Sequence, residues 1–263
     1  QKFMEQIHAK YPKIKICGSS GPSADGKDFD YGWEQMRKLG VDMVDEHYYK
    51  SPDWFRSNAG RYDNYDRKGP KVFAGEYAAH AKHDPNSWEA ALSEAAFMTG
   101  LERNADVVYQ ATYAPLFAHV EGWQWRPDLI WFDNLTSVRS ANYYVQQLYG
   151  LNKGTHVLSL TENGKTVKGE NGLYATACFD KHTKSYIVKI ANTSNEEKEI
   201  TVTFNGLKKL KAGKVTVLHA DDIQAENKID HKNAVVPVTS DVQTNGNVLN
   251  VKMKANSFVV YRF

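Results

Sequence analysis

Cysteine is scarce in this chain, which has only Cys17 and Cys178 among its 263 residues. Two cysteines provide neither a disulfide framework nor a zinc pattern. Long apolar runs are missing too, since no stretch approaches the roughly 18 residues of a membrane span. Charge of one sign is also lacking: the net charge is +2 and the basic residues are dispersed. We therefore expect no nucleic-acid partner, no membrane, no metal and no cofactor.

Tryptophan is absent from the second half of the chain. All six tryptophans lie at or before Trp131, and the remainder is rich in Val, Thr, Lys and Asn. Such a change in composition is typical of a domain boundary, which we place near residues 135–150. The prediction is a first domain over residues 1–140 and a second over residues 141–263.

The first domain alternates between strand and helix patterns. Strand-like runs end near residues 17, 49, 77 and 113, and helical spacing precedes each of them. The helix that starts at Ser51-Pro52 is predicted to continue to Gly69-Pro70, and Asn86 with Glu89 resembles a capping box that opens the next helix. This alternation predicts parallel strands with crossover helices. Four strands cannot close an eight-stranded barrel, so the domain is either a small open sheet or the second half of a barrel. The helical pattern at residues 3–11 favours the half-barrel, because that helix would cross over from a strand that is not present.

The second domain reads as an antiparallel β-sandwich without a need for helices. Turn signals such as Asn205-Gly206 and Asn245-Gly246 separate several short strand-like runs. These runs are 173–179, 185–192, 198–204, 214–219, 247–253 and 257–263.

One strand of the first domain ends in a carboxylate. The run from Lys71 to His80 is bounded by Gly69-Pro70, and alternation places Glu76 on the same face as Val72 and Ala74. Catalytic side chains of parallel α/β barrels lie at the carboxyl ends of strands. On spacing alone, a solvated or helix-capping glutamate is the alternative interpretation.

Several uncommon strings occur in an order that resembles glycoside hydrolase family 51, the α-L-arabinofuranosidases, and more narrowly its branch found in plants and in polysaccharide-degrading bacteria. The resemblance is densest over about residues 40–150. The strings are Asp45–Tyr49, Trp54-Phe55, Arg61–Arg67, Gly69–Tyr77, Ala91–Arg103, Tyr113–Phe117, Trp125–Ile130 and Tyr143–Gln147.

The resemblance implies the second half of a (β/α)8 barrel followed by a β-sandwich, with Glu76 as the nucleophile of a retaining mechanism. It further implies that His47 and Tyr49 bind the substrate or Glu76, and that Trp125 contacts the substrate. The family's acid/base glutamate follows an asparagine at the end of the fourth strand, and no such pair occupies that position here. The segment that carries it would precede Gln1, so the missing N-terminal half of the polypeptide becomes an expected partner.

Other residues invite less specific interpretations. Glu46 should point outward to the helices, whereas Asp45 should face inward as a buried, hydrogen-bonded group. Trp123 and Trp125 could stack on a sugar or simply pack the barrel rim. His80 and His83 lack a third metal ligand, so we interpret them as exposed loop residues.

The predicted function is hydrolysis of terminal α-L-arabinofuranosyl groups from arabinan or arabinoxylan, with this chain inactive by itself. Two alternatives stay open: an inert carbohydrate-associated fragment, and a related retaining hydrolase that acts on xylosides or glucosides. The substrate predicts a secreted or periplasmic location rather than a cytoplasmic one. A homo-oligomer is a further possibility.

Overall fold

The computed structural model describes all residues, Gln1–Phe263. Five α-helices are distributed over its first 151 residues: α1 (Lys2–Lys10), α2 (Lys27–Leu39), α3 (Pro52–Ser57), α4 (Trp88–Arg103) and α5 (Ala141–Leu151). Seven strands accompany them: β1 (Cys17–Ser19), β2 (Met43–Lys50), β3 (Lys71–Ala79), β4 (Val108–Tyr113), β5 (Phe117–His119), β6 (Ile130–Phe132) and β7 (Ser137–Arg139).

Ten further strands and one 3-10 helix (Glu170–Gly172) follow α5. They are β8 (His156–Leu158), β9 (Thr161–Glu162), β10 (Lys165–Thr166), β11 (Leu173–Asp180), β12 (Ser185–Asn192), β13 (Lys198–Thr203), β14 (Gly213–His219), β15 (Val238–Val242), β16 (Val248–Met253) and β17 (Ser257–Arg262).

The first four strands form a parallel sheet in the order β1-β2-β3-β4. Its two faces differ in burial. Val44, Tyr48, Val72 and Ala74 are fully buried on the face that the helices cover. The opposite face is open, and Tyr109 of β4 is 58% exposed there. Parallel sheets normally have both faces covered, so this sheet has one face without a partner.

The last part of the chain is a two-layer antiparallel sandwich. A six-stranded sheet, β15-β14-β17-β12-β11-β8, faces the pair β13-β16. Alternation along β12 sends Ile187 and Ala191 into the core shared with the helices, whereas Val188 and Ile190 pack toward β13 and β16. One sheet therefore contributes to two hydrophobic cores.

Helix α4 lies between the parallel sheet and the sandwich, and 13 of its residues are buried. The sequence of α4 explains this position, because the helix itself carries small and apolar residues on all its sides. The backbone N–H groups of Trp88 and Glu89, in its first turn, donate to the carbonyls of Ala225 and Ile223 in the sandwich. The sandwich thus supplies hydrogen-bond acceptors that the helix start lacks by itself.

A buried ion pair joins the other end of α4 to the sandwich. Lys189 of β12 is fully buried and donates from Nζ to Glu102 Oε1 at 2.6 Å. The same Nζ donates to the Asn152 carbonyl at 2.7 Å, just after α5. The ammonium group therefore links three elements at one point.

The predicted fold class, α/β followed by all-β, is confirmed, and all six predicted strands of the second part are present. Three local predictions are wrong. A helix, α5, follows residue 140, and α3 ends at Ser57 instead of continuing to Gly69. Ser87 rather than Asn86 is the N-cap of α4, since the Asn86 amide bonds the Asp128 backbone. The boundary at 140/141 stays a prediction. None of the helices has the length and apolar character needed to cross a membrane.

Candidate active site

Glu76 lies near the carboxyl end of β3, and a β-bulge determines where its side chain points. The β2–β3 register pairs Glu46 with Ala74 but His47 with Glu76, so Gly75 is an extra residue. The bulge corrects the alternation prediction: Val72 and Ala74 face the helices, whereas Glu76 turns to the open face beside His47. The predicted face-sharing with Val72 and Ala74 was wrong because one inserted residue reverses the alternation.

Glycine at position 75 is required by the closeness of β2. A Cβ atom built on Gly75 would lie 2.0 Å from Asp45 Oδ1 and 3.1 Å from a ring carbon of Phe73. Any side chain there would displace Asp45 or the strand. The bulge and the absence of a side chain thus allow two polar groups, Asp45 and Glu76, to occupy adjacent places on the open face.

Two side chains of β2 contact the Glu76 carboxylate. Tyr49 donates from its hydroxyl to Glu76 Oε2 at 2.7 Å, and His47 Nδ1 lies 3.5 Å from the same oxygen. Burial, and next the bond to Glu76, raise the pKa of Tyr49 well above its usual value, so the phenol keeps its proton. The Glu76 side chain is 45% exposed and remains accessible from the open face.

His47 has a second acidic neighbour. Its Nε2 lies 2.8 Å from Asp45 Oδ2, and the imidazole is 18% exposed. Asp45 Oδ1 is buried without a hydrogen-bond partner. The imidazole of His47 therefore lies between two carboxylates, hydrogen-bonded to Asp45 and within 3.5 Å of Glu76.

Glu46 points to the helix side, as alternation predicts, and it is fully buried. Its carboxylate is surrounded by donors from β2, α2 and the segment after α3: Trp33 Nε1, Arg61 Nε and the hydroxyls of Tyr48, Tyr62 and Tyr65. With its oxygens occupied in this way, Glu46 stabilises the packing behind the sheet and has no access to the open face.

Two other buried carboxyl groups lie near the strand ends. Burial raises the pKa of Glu94 to about 8, although the Ala79 N–H donates to it at 2.8 Å. Burial likewise raises the pKa of Asp128 to about 6. Neither carboxyl group forms a hydrogen bond to Glu76, His47 or Tyr49; Glu94 bonds the Ala79 N–H, and Asp128 Oδ2 has no partner.

The remaining candidates lie on loops around the open end of the sheet. Trp125 is 65% exposed and Trp123 is 49% exposed, between β5 and β6. Trp123 packs edge-on against Trp131. His80 and His83 are exposed; the ring of His80 lies 5.6 Å from that of Tyr49.

The roles given to Glu76, His47, Tyr49 and Trp125 stay predictions, but the first three do form one contact group. Sequence reasoning missed the bulge and the bond between Asp45 and His47. A glycine inside a strand is the signal that could have indicated the bulge. Residues two apart on one strand share a face, which is the signal for the pairing of Asp45 with His47.

Comparison with known proteins gives a consistent result. Residues 61–257 match the family model of the α-L-arabinofuranosidase C-terminal domain. An extracellular exo-α-L-arabinofuranosidase of Streptomyces chartreusis is 55% identical over 158 residues, which are 60% of this chain and 19% of that protein. A probable α-L-arabinofuranosidase A of Aspergillus flavus is 36% identical over 252 residues, 93% of this chain and 36% of that protein.

The fold agrees with a solved structure as well. The arabinose-bound α-L-arabinofuranosidase MgGH51 superposes with a TM-score of 0.85 and 30% identity, over 99% of this chain and 41% of that one. This chain therefore spans less than half the length of each of these three proteins.

Proposed function

Because this chain belongs to the α-L-arabinofuranosidase C-terminal domain family, as a portion of a glycoside hydrolase family 51 enzyme, we propose a specific activity for its full-length polypeptide. The activity is the release of terminal α-L-arabinofuranosyl groups from plant polysaccharides such as arabinan and arabinoxylan. The observation that supports it most directly is the contact of Glu76 with Tyr49 and His47 on the open face.

The proposed mechanism proceeds with retention. Glu76 attacks the anomeric carbon while a second carboxylic acid protonates the leaving oxygen, and water then hydrolyses the glycosyl ester. The phenol of Tyr49, which keeps its proton, donates to Glu76 and stabilises the carboxylate that must attack. Trp125, exposed on the loop between β5 and β6, would provide an aromatic surface for the sugar.

We propose that the second carboxylate belongs to a part of the polypeptide ahead of this chain, which would complete a (β/α)8 barrel over the open face. The uncovered surface supports this. No residue of α1 is buried, and Phe3, Tyr11 and Tyr109 are each more than half exposed. In isolation, the 263-residue chain should be inactive, and it should self-associate through this apolar surface.

The location is proposed to be outside the cytoplasm. The Streptomyces relative is named extracellular, and cell-wall polysaccharides are encountered there.

Substitution of the nucleophile tests the proposal. In the full-length enzyme, Glu76→Gln should reduce turnover of an aryl α-L-arabinofuranoside by at least about 1,000-fold, because the attacking group is lost. Glu34→Gln, on the exposed surface of α2, is the matched control and should keep full activity. Activity of Glu76→Gln within about tenfold of the wild type would refute the assignment.

Two further measurements separate the alternatives. Robust hydrolysis by the isolated 263-residue chain would mean that both carboxylates lie within it. A panel of aryl arabinofuranosides, xylosides and glucosides tests the substrate class, and a preference for the pyranosides would favour the related hydrolase.

A further inference from the structure

We propose that Asp45 is a positioning residue of this active site, which fixes the imidazole of His47 against Glu76. The inference rests on the proposed function, because it gives Asp45 a role in the same hydrolysis.

The strand geometry brings the two side chains together. Asp45 and His47 are two residues apart on β2 and so project from the same face. The carboxylate reaches along the strand to His47 Nε2 at 2.8 Å, which directs Nδ1 at Glu76 Oε2, 3.5 Å away. The imidazole is thereby held between two carboxylates. Its orientation depends on Asp45, the carboxylate that does not react.

The acceptor character of a carboxylate indicates which nitrogen of His47 carries a proton. An ionised carboxylate is only an acceptor, so the atom that faces Asp45 must be a protonated Nε2. A histidine held in this way keeps its Nε2 proton and one ring orientation, and orientation of the imidazole is a role that the aspartate has in catalytic triads. When Glu76 becomes an ester in the glycosyl-enzyme, it loses its negative charge, and Asp45 is then the remaining anionic partner of the imidazole.

The surroundings of Asp45 show how the strand accommodates its side chain. Its Oδ1 is buried and has no partner, and it occupies the space that a Cβ of residue 75 would need. A buried acceptor left unpaired is unfavourable. The same bulge that turns Glu76 to the open face therefore makes room for Asp45, and Gly75 serves both groups.

The test is Asp45→Asn in the full-length enzyme, with Asp42→Asn as the matched control. Asp42 lies next to β2 but bonds Lys15 and the Ile16 N–H, away from Glu76. We expect Asp45→Asn to lower kcat about 10- to 100-fold, the value of a charged hydrogen bond, with KM changed less than about threefold. The control should keep both constants.

Nitrogen-15 NMR of the His47 ring supplies a readout that a purely structural role would not change. In the wild type, Nε2 should be protonated; in Asp45→Asn, the amide can donate to Nε2, so a population with Nε2 unprotonated should appear. His47→Gln identifies the resonances by their loss.

The wild-type spectrum decides the matter even if Asp45→Asn does not fold. An unprotonated Nε2 in the folded wild type at neutral pH would overturn the proposal, as would wild-type kcat in Asp45→Asn. Failure of the proposed function is distinguished by Glu76→Gln: if that variant stays active, the nucleophile is wrong, whereas an inactive Glu76→Gln with a fully active Asp45→Asn refutes only the role of Asp45.

Discussion

Lys189→Met should destabilise the protein strongly, because it removes one member of a buried ion pair and leaves the other in place. The Lys189 ammonium bonds Glu102 Oε1 and the Asn152 carbonyl, and its side chain has no exposed surface. Methionine has nearly the same length and shape, so the substitution removes the charge without creating a large cavity. The effect therefore reports the electrostatic part of the contact between α4 and the sandwich.

The expected loss of unfolding free energy depends on the hydrogen-bond partners that Glu102 keeps. Glu102 Oε2 is already buried without a partner, and Oε1 would keep only the thiol of Cys178, 3.8 Å away. Removal of one partner from a buried pair typically costs about 3–5 kcal/mol of unfolding free energy. Lys189→Met/Glu102→Leu should recover most of this loss, to within about 1–2 kcal/mol of the wild type, since only the Asn152 carbonyl then loses a strong donor and it keeps the thiol of Cys178, 4.0 Å away.

Urea unfolding of the full-length protein, followed by circular dichroism, measures these differences. Hydrogen exchange of the α4 amides, read by mass spectrometry, localises them. Lys214→Met is the control, because Lys214 forms a salt bridge to Asp241 in which both side chains are more than two-thirds exposed. Such a surface pair should contribute less than about 1 kcal/mol. A loss below about 1 kcal/mol for Lys189→Met, or a double variant weaker than the single one, would refute the reasoning.

Two further predictions concern the site and its surroundings. Tyr49→Phe in the full-length enzyme removes the 2.7 Å bond to Glu76 and should lower kcat/KM about 10- to 100-fold; an unchanged value would exclude this bond from catalysis. Burial raises the pKa of Glu94 from 4.5 to about 8, so the folded state holds a proton that the unfolded state releases, and stability should fall as pH rises through that window. Glu94→Gln should abolish this dependence, and melting temperatures of both proteins at pH 5 and pH 8 check it; parallel changes would count against the raised pKa.

Much of the fold could be predicted because local signals agree with the tertiary structure. Ser51 before Pro52 indicates a helix start, and the Ser51 hydroxyl accepts from the Trp54 N–H as expected. Gly40 ends α2 in the left-handed conformation. The strands of the sandwich follow from alternation and turn residues, which depend on short stretches of sequence.

The errors arose where distant contacts override local pattern. Asn86 has the sequence of a capping residue, but its amide is engaged by Asp128, Trp131 and Asn142, more than 40 residues away. Glu76 was placed near the correct strand end but with the wrong neighbours, because a bulge depends on pairing with β2. The Lys189–Glu102 pair joins residues 87 apart and leaves no local signal.

The way the sandwich completes α4 has a consequence for engineering and for evolution. A polypeptide cut after the parallel sheet would leave the first turn of that helix without acceptors from Ile223 and Ala225, and would expose its apolar side to water. The β-sandwich therefore cannot be removed or exchanged between enzymes independently of the parallel sheet and its helices. Recombination between relatives should tolerate crossovers that transfer both parts together.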